Sequence, residues 1–280
     1  MSKLGPNSIR NNMIFEYIVT IAIFIISYIP KMFPPHFPEF LEGDMTISHT
    51  CGETYNSFMT YSAYFVPVIL VAILVLLFDK DSKWMDLHVM FILSIKNLCM
   101  VTFFTDVWKN VVGRPRPCAL DMCGYTKVSN SSSRLFGTLG QIGSINNCSA
   151  PTKYIWDAFR SFPSGHSSIT MSGAVLALLF FVKFSSSFHH QKPFIYKTYR
   201  YILFVLSLAI PCVIGGSRIY DYKHRGDDIA VGYLLGAIIS YLDFKQFFTF
   251  HYRPYSLLKQ TESYTDIEVH AIETKEPQKL

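Results

Sequence analysis

Two basic residues, Lys109 and Arg116, are separated by six residues in the segment Lys-Asn-Val-Val-Gly-Arg-Pro-Arg-Pro. A lysine ammonium supplies a point charge, and an arginine guanidinium is a planar fork that binds two oxygens of a phosphoryl group. Gly113 and Pro115 predict that a preceding helix ends within this segment. Taken alone, the cluster has an alternative interpretation as a basic cap at the edge of a membrane.

A second polar cluster, Pro163-Ser164-Gly165-His166, comes directly before a hydrophobic stretch. Ser164 is a favoured helix N-cap, and the backbone amides that follow it, together with the positive end of the helix dipole, predict an anion site. Gly165 lets the backbone approach a ligand closely. His166, with an ordinary imidazole pKa of about 6.5, is suited to protonating a leaving oxygen. A capped helix start with an incidental histidine is the alternative.

The third cluster contains Arg218, His224 and Asp228. His224 and Asp228 are four residues apart at the predicted start of a helix, so the carboxylate can reach one ring nitrogen and leave the other free to attack phosphorus. Arg218 adds a third cation for the oxygens of the phosphoryl group. Asp221 and Asp227 are spaced three residues from His224 and are interpreted as polar loop residues.

The composition predicts a membrane protein that positions these clusters. Half of the 280 residues are hydrophobic and 16% are charged, whereas about a quarter of the residues in a soluble domain are charged. A helix that crosses the hydrocarbon layer needs about 20 apolar residues. We therefore expect an all-α polytopic protein with six transmembrane helices in one bundle, at about 13–29, 58–78, 88–108, 166–184, 201–216 and 228–248.

The domain prediction is a cytosolic N-terminus at 1–12, one transmembrane domain at 13–248 and a polar, disordered cytosolic tail at 249–280. Six spans bring the three clusters to one membrane face, opposite the termini. Lys and Arg number 13 on the side of the termini and 11 on the other side, of which three are assigned to phosphate. The positive-inside rule then predicts a lumenal or extracellular site, in an endomembrane (vacuole, Golgi or endoplasmic reticulum) or the plasma membrane. The glycosylation sequons at Asn130 and Asn147 lie on that face.

Several residues within the apolar segments predict helix packing rather than chemistry. Lys96 and Asp106 interrupt the third segment, and for Lys96 we favour a buried ion pair or a snorkelling side chain. Glu16 is expected near the end of the first helix. Gly232 and Gly236 are four residues apart and predict a face for close helix packing.

Cysteine usage leaves the disulfide pairing open. Cys99 and Cys212 fall inside apolar segments, where a small buried hydrophobic side chain is expected. The other four cysteines lie in loops and can form bridges if those loops face an oxidising compartment: Cys51, Cys118, Cys123 and Cys148.

In order and spacing, the three clusters resemble the signature of the type 2 phosphatidic acid phosphatase superfamily, K-x6-RP, PSGH and SR-x5-H-x3-D. The segment from Gly43 to His49 also resembles the eukaryotic lipid phosphate phosphatase branch, notably the diacylglycerol pyrophosphate phosphatases. The resemblance covers the third to the sixth apolar segment. Every fixed position is filled: Lys109, Arg116, Pro117, Pro163, Ser164, Gly165, His166, Ser217, Arg218, His224 and Asp228.

This resemblance implies a six-helix membrane fold and metal-independent hydrolysis through a phosphohistidine intermediate. His224 is then the nucleophile, Asp228 orients it, and His166 protonates the leaving group. The phosphoryl group is held by a set of five residues: Lys109, Arg116, Ser164, Gly165 and Arg218.

The expected substrates are phosphatidate, diacylglycerol pyrophosphate or lysophosphatidate in the bilayer, with no metal ion and no other cofactor. Arg225 and Gly226 depart from the residues common in the family and leave the substrate preference open. The alternatives are a sphingoid-base phosphate or dolichyl pyrophosphate phosphatase, or a non-catalytic lipid-binding protein of the same fold. No nucleic-acid partner is expected, because the basic residues form no run. The oligomeric state is not predicted.

Overall fold

The computed structural model describes residues 6–53, 57–78, 83–126, 142–184 and 193–250, which are mostly helical. Two short helices and a two-residue antiparallel ladder lie between the long helices: α4 (Ala119–Cys123), α5 (Thr152–Ala158), β1 (Phe40–Leu41) and β2 (Ile142–Gly143). The six long helices are α1 (Pro6–Ile26), α2 (Ser57–Phe78), α3 (Lys83–Val112), α6 (Gly165–Phe184), α7 (Pro193–Tyr220) and α8 (Gly226–Phe250).

The predicted apolar segments fall on these helices, but several helix bounds differ. The first helix was expected at about 13–29, but α1 begins at Pro6 and ends at Ile26. Helices α3 and α7 extend beyond the predicted bounds of the third and fifth apolar segments. A run of apolar residues marks only the part of a helix that suits the hydrocarbon layer. Residues 251–280 of the predicted tail, and the sequon at Asn130, lie outside the described residues.

Five of the long helices are long and apolar enough to cross a membrane, so the predicted count of six spans is not confirmed. The remaining helix is α8, which has 25 residues but carries Asp243 and Lys245 in its second half. These charged side chains lower its mean hydropathy. The coarser prediction of a helical protein with several membrane spans is confirmed.

Helix α6 lies at the centre and contacts α2, α3, α7 and α8. Its contact with α8 depends on glycine. A Cβ added at Gly232 would lie 2.7 Å from the carbonyl oxygen of Ser164, and one at Gly236 would lie 2.2 Å from that of Ser168. The predicted packing role of the two glycines is therefore confirmed, and it brings the start of α8 against the start of α6.

Three buried charges connect α1, α3 and α8 inside the bundle. The Lys96 ammonium lies 3.0 Å from the carboxylate of Asp243 and 3.9 Å from that of Glu16. The predicted buried pair at Lys96 is confirmed. The expectation for Glu16 is wrong, because the early start of α1 places this residue in the middle of the helix, where it is buried.

A small cap covers the end of the bundle where the three polar clusters lie. Two disulfides close it, Cys51–Cys118 and Cys123–Cys148, so the pairing left open by the sequence is resolved. Phe40, Ile47 and Phe159 are among the buried side chains of its hydrophobic cluster. Cys99 is buried, as expected. Cys212 is exposed on α7, contrary to the prediction, because its side of that helix is not covered by the bundle.

We predict that Lys96→Leu destabilises the protein, because it leaves the carboxylates of Glu16 and Asp243 buried without a cation. The free energy of unfolding in detergent is expected to fall by about 3 kcal/mol or more. Adding Glu16→Gln and Asp243→Asn should restore most of the loss. Unchanged stability of the single variant would contradict an ion-paired triad.

Candidate active site

His224 lies in the turn between α7 and α8 and is almost completely buried, with 1% of its surface exposed. Its backbone amide donates to the carbonyl oxygen of Arg218. Nη1 of Arg116 donates to Nε2 of His224 at 3.1 Å. Because a guanidinium can only donate, Nε2 must be the acceptor, so the ring proton of the neutral imidazole is on Nδ1. The lone pair of Nε2 therefore points towards the cations of the site.

Asp228 lies on the other side of the imidazole. Its Oδ2 is 3.8 Å from Nδ1 of His224, which is an ion-pair distance rather than a hydrogen bond. The Ser161 hydroxyl contacts both groups: it donates to Oδ2 at 2.6 Å and is 3.5 Å from Nδ1. The backbone amide of Arg225 also donates to Oδ2, at 2.9 Å, and Nη1 of Arg114 donates to Oδ1 at 2.8 Å. Asp228 is thus fixed by donors on three chain segments.

The expected proximity of His224 and Asp228 is found, but its cause differs from the prediction. His224 precedes α8, which begins at Gly226, so the two residues do not share a helical face. The Asp228 side chain instead reaches back to the backbone amide of Arg225, as in a capping box. This hydrogen bond at the N-terminus of α8 sets the position of the carboxylate next to the imidazole.

Arg116 is buried and has every part of its guanidinium engaged. Nε donates to the carbonyl oxygen of Asp157, Nη2 to the carboxylate of Asp157, and Nη1 to the carbonyl oxygen of Lys223 in addition to His224. Burial raises the pKa of the Asp157 carboxyl, but the charges of Arg116 and Lys109 outweigh this effect and lower it to about 2. Asp157 is therefore ionised and holds the guanidinium against His224.

The imidazole of His224 is neutral at physiological pH. Burial lowers its pKa, the charge of Arg116 lowers it further, and the nearby Asp228 carboxylate opposes both, which leaves the pKa at about 4. A neutral imidazole with an available Nε2 is the form that can act as a nucleophile.

The start of α6 lies beside this pair. Ser164 is the residue before the helix, where its hydroxyl accepts from the amide of Ser167, so its predicted capping role is confirmed. Its own amide donates to the carbonyl oxygen of Asp228 at 2.9 Å. The rings of His166 and His224 are neighbours, with centroids 6.3 Å apart. A phosphoryl group bound next to one ring is therefore within reach of the other.

Lys109 reaches the same place from the last turn of α3. Its ammonium would be 3.2 Å from a Cβ added at Gly165, so the absence of a side chain at this glycine lets the lysine approach the start of α6. The helix ends at Val112, and Gly113 has a positive φ of 61° beside the carbonyl oxygen of His36. The expected end of the helix at Gly113 is confirmed.

Arg218 is buried in the last turn of α7, and its Nη2 donates to the carboxylate of Asp221 at 2.7 Å. Asp221 and Asp227 are therefore more than polar loop residues: Asp221 pairs with Arg218, and Asp227 accepts from Arg114. The carboxylate of Asp221 offsets part of the Arg218 charge. The eight predicted site residues come from α3 and the segment after it, α6 with its cap, α7, and α8 with the turn before it.

Three further side chains, which lie outside the fixed motif positions, hold the predicted ones in place: Arg114, Asp157 and Ser161. Arg114 lies within the first cluster and Ser161 lies just before the second, so the sequence gives a reason to suspect that both support the site. Asp157 is on α5, far along the chain from its partner Arg116, and no local pattern indicates the contact. Among the described residues, no three His, Cys, Asp or Glu side chains form a group that can hold a metal ion.

Comparison with known proteins identifies the family of the chain. The family model described as PAP2 superfamily matches residues 87–252, which is more than half of the chain. The chain is 28% identical over 246 residues to a probable diacylglycerol pyrophosphate phosphatase 1 of Schizosaccharomyces pombe, covering 85% of this chain and 82% of that protein. It is 28% identical over 254 residues to diacylglycerol pyrophosphate phosphatase 1 of Saccharomyces cerevisiae, covering 87% and 82%.

A more distant relative is lipid phosphate phosphatase 1 of Arabidopsis thaliana, which is 24% identical over 212 residues, covering 72% of this chain and 61% of that protein. No solved structure matches the chain. The family match and the named relatives lead to one conclusion: the chain belongs to the PAP2 superfamily and is a membrane hydrolase that acts on phosphate esters.

Proposed function

We propose that this protein removes phosphate from phosphatidate, diacylglycerol pyrophosphate or lysophosphatidate, without a metal ion, through a phosphohistidine intermediate on His224. The observation that carries the proposal is the buried, neutral imidazole between Arg116 and Asp228. The names of the relatives support a lipid phosphate as the substrate.

In the first half of the reaction, Nε2 of His224 attacks phosphorus. An N–P bond forms, the P–O bond to the lipid breaks, and the leaving oxygen takes a proton from His166. Once Nε2 is bonded to phosphorus, Arg116 can donate to the phosphoryl oxygens instead. Asp228 stabilises the positive charge that the imidazole gains.

The charge on the phosphoryl oxygens is balanced by cations and amides from separate helices. Lys109 and Arg218 supply charge, and the amides after the Ser164 cap supply the positive end of α6. Gly165 allows the oxygens to approach the backbone. A site of this kind holds the charge that accumulates as the phosphoryl group is transferred.

In the second half, a water molecule attacks the phosphohistidine. His166, which lost its proton in the first half, accepts a proton from this water while the N–P bond breaks. Inorganic phosphate leaves, and His224 returns to its neutral form. Both histidines are restored at the end of the cycle.

We propose that α8 is the sixth span of a transmembrane domain at 13–248. Its 25 residues extend for about 37 Å, which exceeds the hydrocarbon thickness of about 30 Å. Asp243 of α8 is paired with Lys96 inside the bundle, so the charge of Asp243 does not face lipid. With six spans both termini lie on one side of the membrane.

We further propose that the active site faces the lumen or the extracellular space and that the termini are cytosolic. The bridges Cys51–Cys118 and Cys123–Cys148 on the active-site face support this orientation, because disulfides persist in oxidising compartments. The distribution of Lys and Arg favours the same orientation. The membrane is an endomembrane or the plasma membrane.

His224→Ala is expected to abolish phosphate release and covalent labelling, because no other side chain of the site takes the place of His224 in forming the N–P bond. Purified protein is mixed with lipid carrying a radioactive phosphate and quenched rapidly. Label that is stable in base and labile in acid identifies a phosphohistidine. His88→Ala removes a histidine near the opposite end of α3 and should keep both signals. Labelling of His224→Ala at the wild-type level would refute the nucleophile assignment.

The acidic limb of kcat/KM is expected near pH 4, because neutral His224 is the reactive form and is lost as the pH falls through its pKa of about 4. The measurement is a pH profile with a phosphate substrate and its thiophosphate analogue. If the limb is caused by titration of the substrate, its pH midpoint differs between the two profiles. If it is caused by titration of His224, the midpoint is the same in both. A fixed limb near pH 6.5 would contradict a depressed pKa.

Activity is expected to be unchanged after dialysis against a chelator, because the cations that balance the phosphoryl charge are side chains. Phosphate release is measured with EDTA and after addition of magnesium. Loss of activity in EDTA with recovery in magnesium would rule out the proposed mechanism.

A further inference from the structure

The pre-α2 segment, residues 44–52, lies against the turn between α7 and α8. The backbone amide of Gly52 donates to the carbonyl oxygen of Asp221 at 3.0 Å. A Cβ added at Gly52 would lie 2.6 Å from the carboxylate of Asp221, so this contact is close. At the other end of the turn, Nη2 of Arg225 donates to the hydroxyl of Thr46 at 3.0 Å. The segment therefore contacts the turn on both sides of the proposed nucleophile.

His49 of this segment joins the two parts of the chain that carry Arg116 and the nucleophile. Its backbone amide donates to the carbonyl oxygen of Pro117, the residue after Arg116, at 3.1 Å. Its ring stacks on the ring of Tyr222, with centroids 4.2 Å apart and an angle of 10° between the planes. His49 thus contacts the segments on both sides of the hydrogen bond between Arg116 and His224.

Tyr222 has a backbone conformation that a side chain makes costly. Its φ is 54°, in the left-handed region that favours glycine. Its amide donates to the carbonyl oxygen of Ile219, and the amide of Lys223 donates to that of Arg218, each at 3.0 Å. These two bonds form the Schellman motif that ends α7, and Tyr222 occupies the position that glycine usually takes. The stack with His49 offsets part of the cost, because aromatic pairs are stabilising.

The conformation at Tyr222 sets the position of the two residues that follow it. The carbonyl oxygen of Lys223 accepts from Nη1 of Arg116 at 3.0 Å. Nε2 of His224 accepts from the same nitrogen at 3.1 Å. If Tyr222 leaves the left-handed region, the chain after it takes another direction, and these two acceptors no longer meet Arg116. The reactive nitrogen of His224 then loses its place among the cations.

We propose that His49 is a positioning residue for the phosphoryl transfer. Its ring holds Tyr222 in the left-handed conformation, and this conformation places Nε2 of His224 beside Arg116. The inference rests on the proposed function, in which Nε2 attacks phosphorus. Because His49 acts through Tyr222, the site requires the stacking surface of its ring and not a proton on the imidazole. Another aromatic ring at this position is therefore expected to support the reaction.

The first test replaces His49 in the full-length protein and measures kcat and KM with phosphatidate in detergent micelles. His49→Ala is expected to lower kcat by about tenfold, because a small misplacement of the nucleophile slows the chemical step, while KM stays within about twofold. His49→Phe keeps a ring that can stack on Tyr222 and should restore most of kcat. His36→Ala removes another exposed histidine from the segment between α1 and α2 and should leave kcat unchanged.

A second test replaces Tyr222 with glycine, which adopts a positive φ at no steric cost. Tyr222→Gly alone is expected to retain most of the wild-type kcat. In this background His49→Ala should lower kcat by less than about twofold, because the turn no longer depends on the stack. This pair of variants also gives the answer if His49→Ala does not fold in the wild-type background.

Several outcomes would overturn the positioning role. One is a wild-type kcat in His49→Ala, even with a lower melting temperature, since His49 then contributes to stability alone. Another is a rise in KM with unchanged kcat, which would mean that His49 contacts the substrate. Equal losses in His49→Phe and His49→Ala would mean that the imidazole nitrogens are required. An undiminished loss from His49→Ala in the Tyr222→Gly background would mean that His49 does not act through Tyr222.

Failure of the proposed function gives a different result. A wild-type protein that releases no phosphate from phosphatidate, diacylglycerol pyrophosphate or lysophosphatidate, and forms no phosphohistidine, refutes that function. A wild type that does both, with a His49→Ala variant that is labelled on His224 at the wild-type rate, refutes only the positioning role.

Discussion

The carboxylate of Asp228 is buried at the start of α8 and accepts hydrogen bonds from Ser161, Arg114 and the backbone amide of Arg225. These donors belong to the segment before α6, the segment after α3 and the turn before α8. A fourth bond, from the amide of Ser164 to the carbonyl oxygen of Asp228, joins the α6 cap to the same residue. One residue thus connects all three polar clusters and sets the position of His224 among the cations.

Helix packing makes this arrangement possible. Gly232 and Gly236 let α8 approach α6 so closely that a side chain at either position would collide with the α6 backbone or its cap. Because the close contact begins at the first turns of both helices, the two histidine-bearing clusters meet at one end of the bundle. The chemistry at that end therefore depends on residues that have no side chain to contribute.

Much of the site could be predicted from the sequence, because the clusters stand at the ends of apolar segments whose alternation brings them to one face. The capping role of Ser164 and the packing role of the glycines also followed from local rules. The contacts of Asp157 could not be predicted, since Arg116 meets it only after α5 folds against the cap. The helical start of α1 was missed because its first residues are polar, and the cysteine pairing depends on loop paths that no local pattern encodes.

The cap has a consequence for how the enzyme matures. Cys118 lies two residues after Arg116 and is bonded to Cys51, which precedes α2. The guanidinium that faces His224 is therefore attached to a segment whose position depends on a covalent bond between distant parts of the chain. If this face is lumenal, as proposed, oxidation of Cys51 and Cys118 after insertion joins the segment that carries Arg116 to the segment before α2.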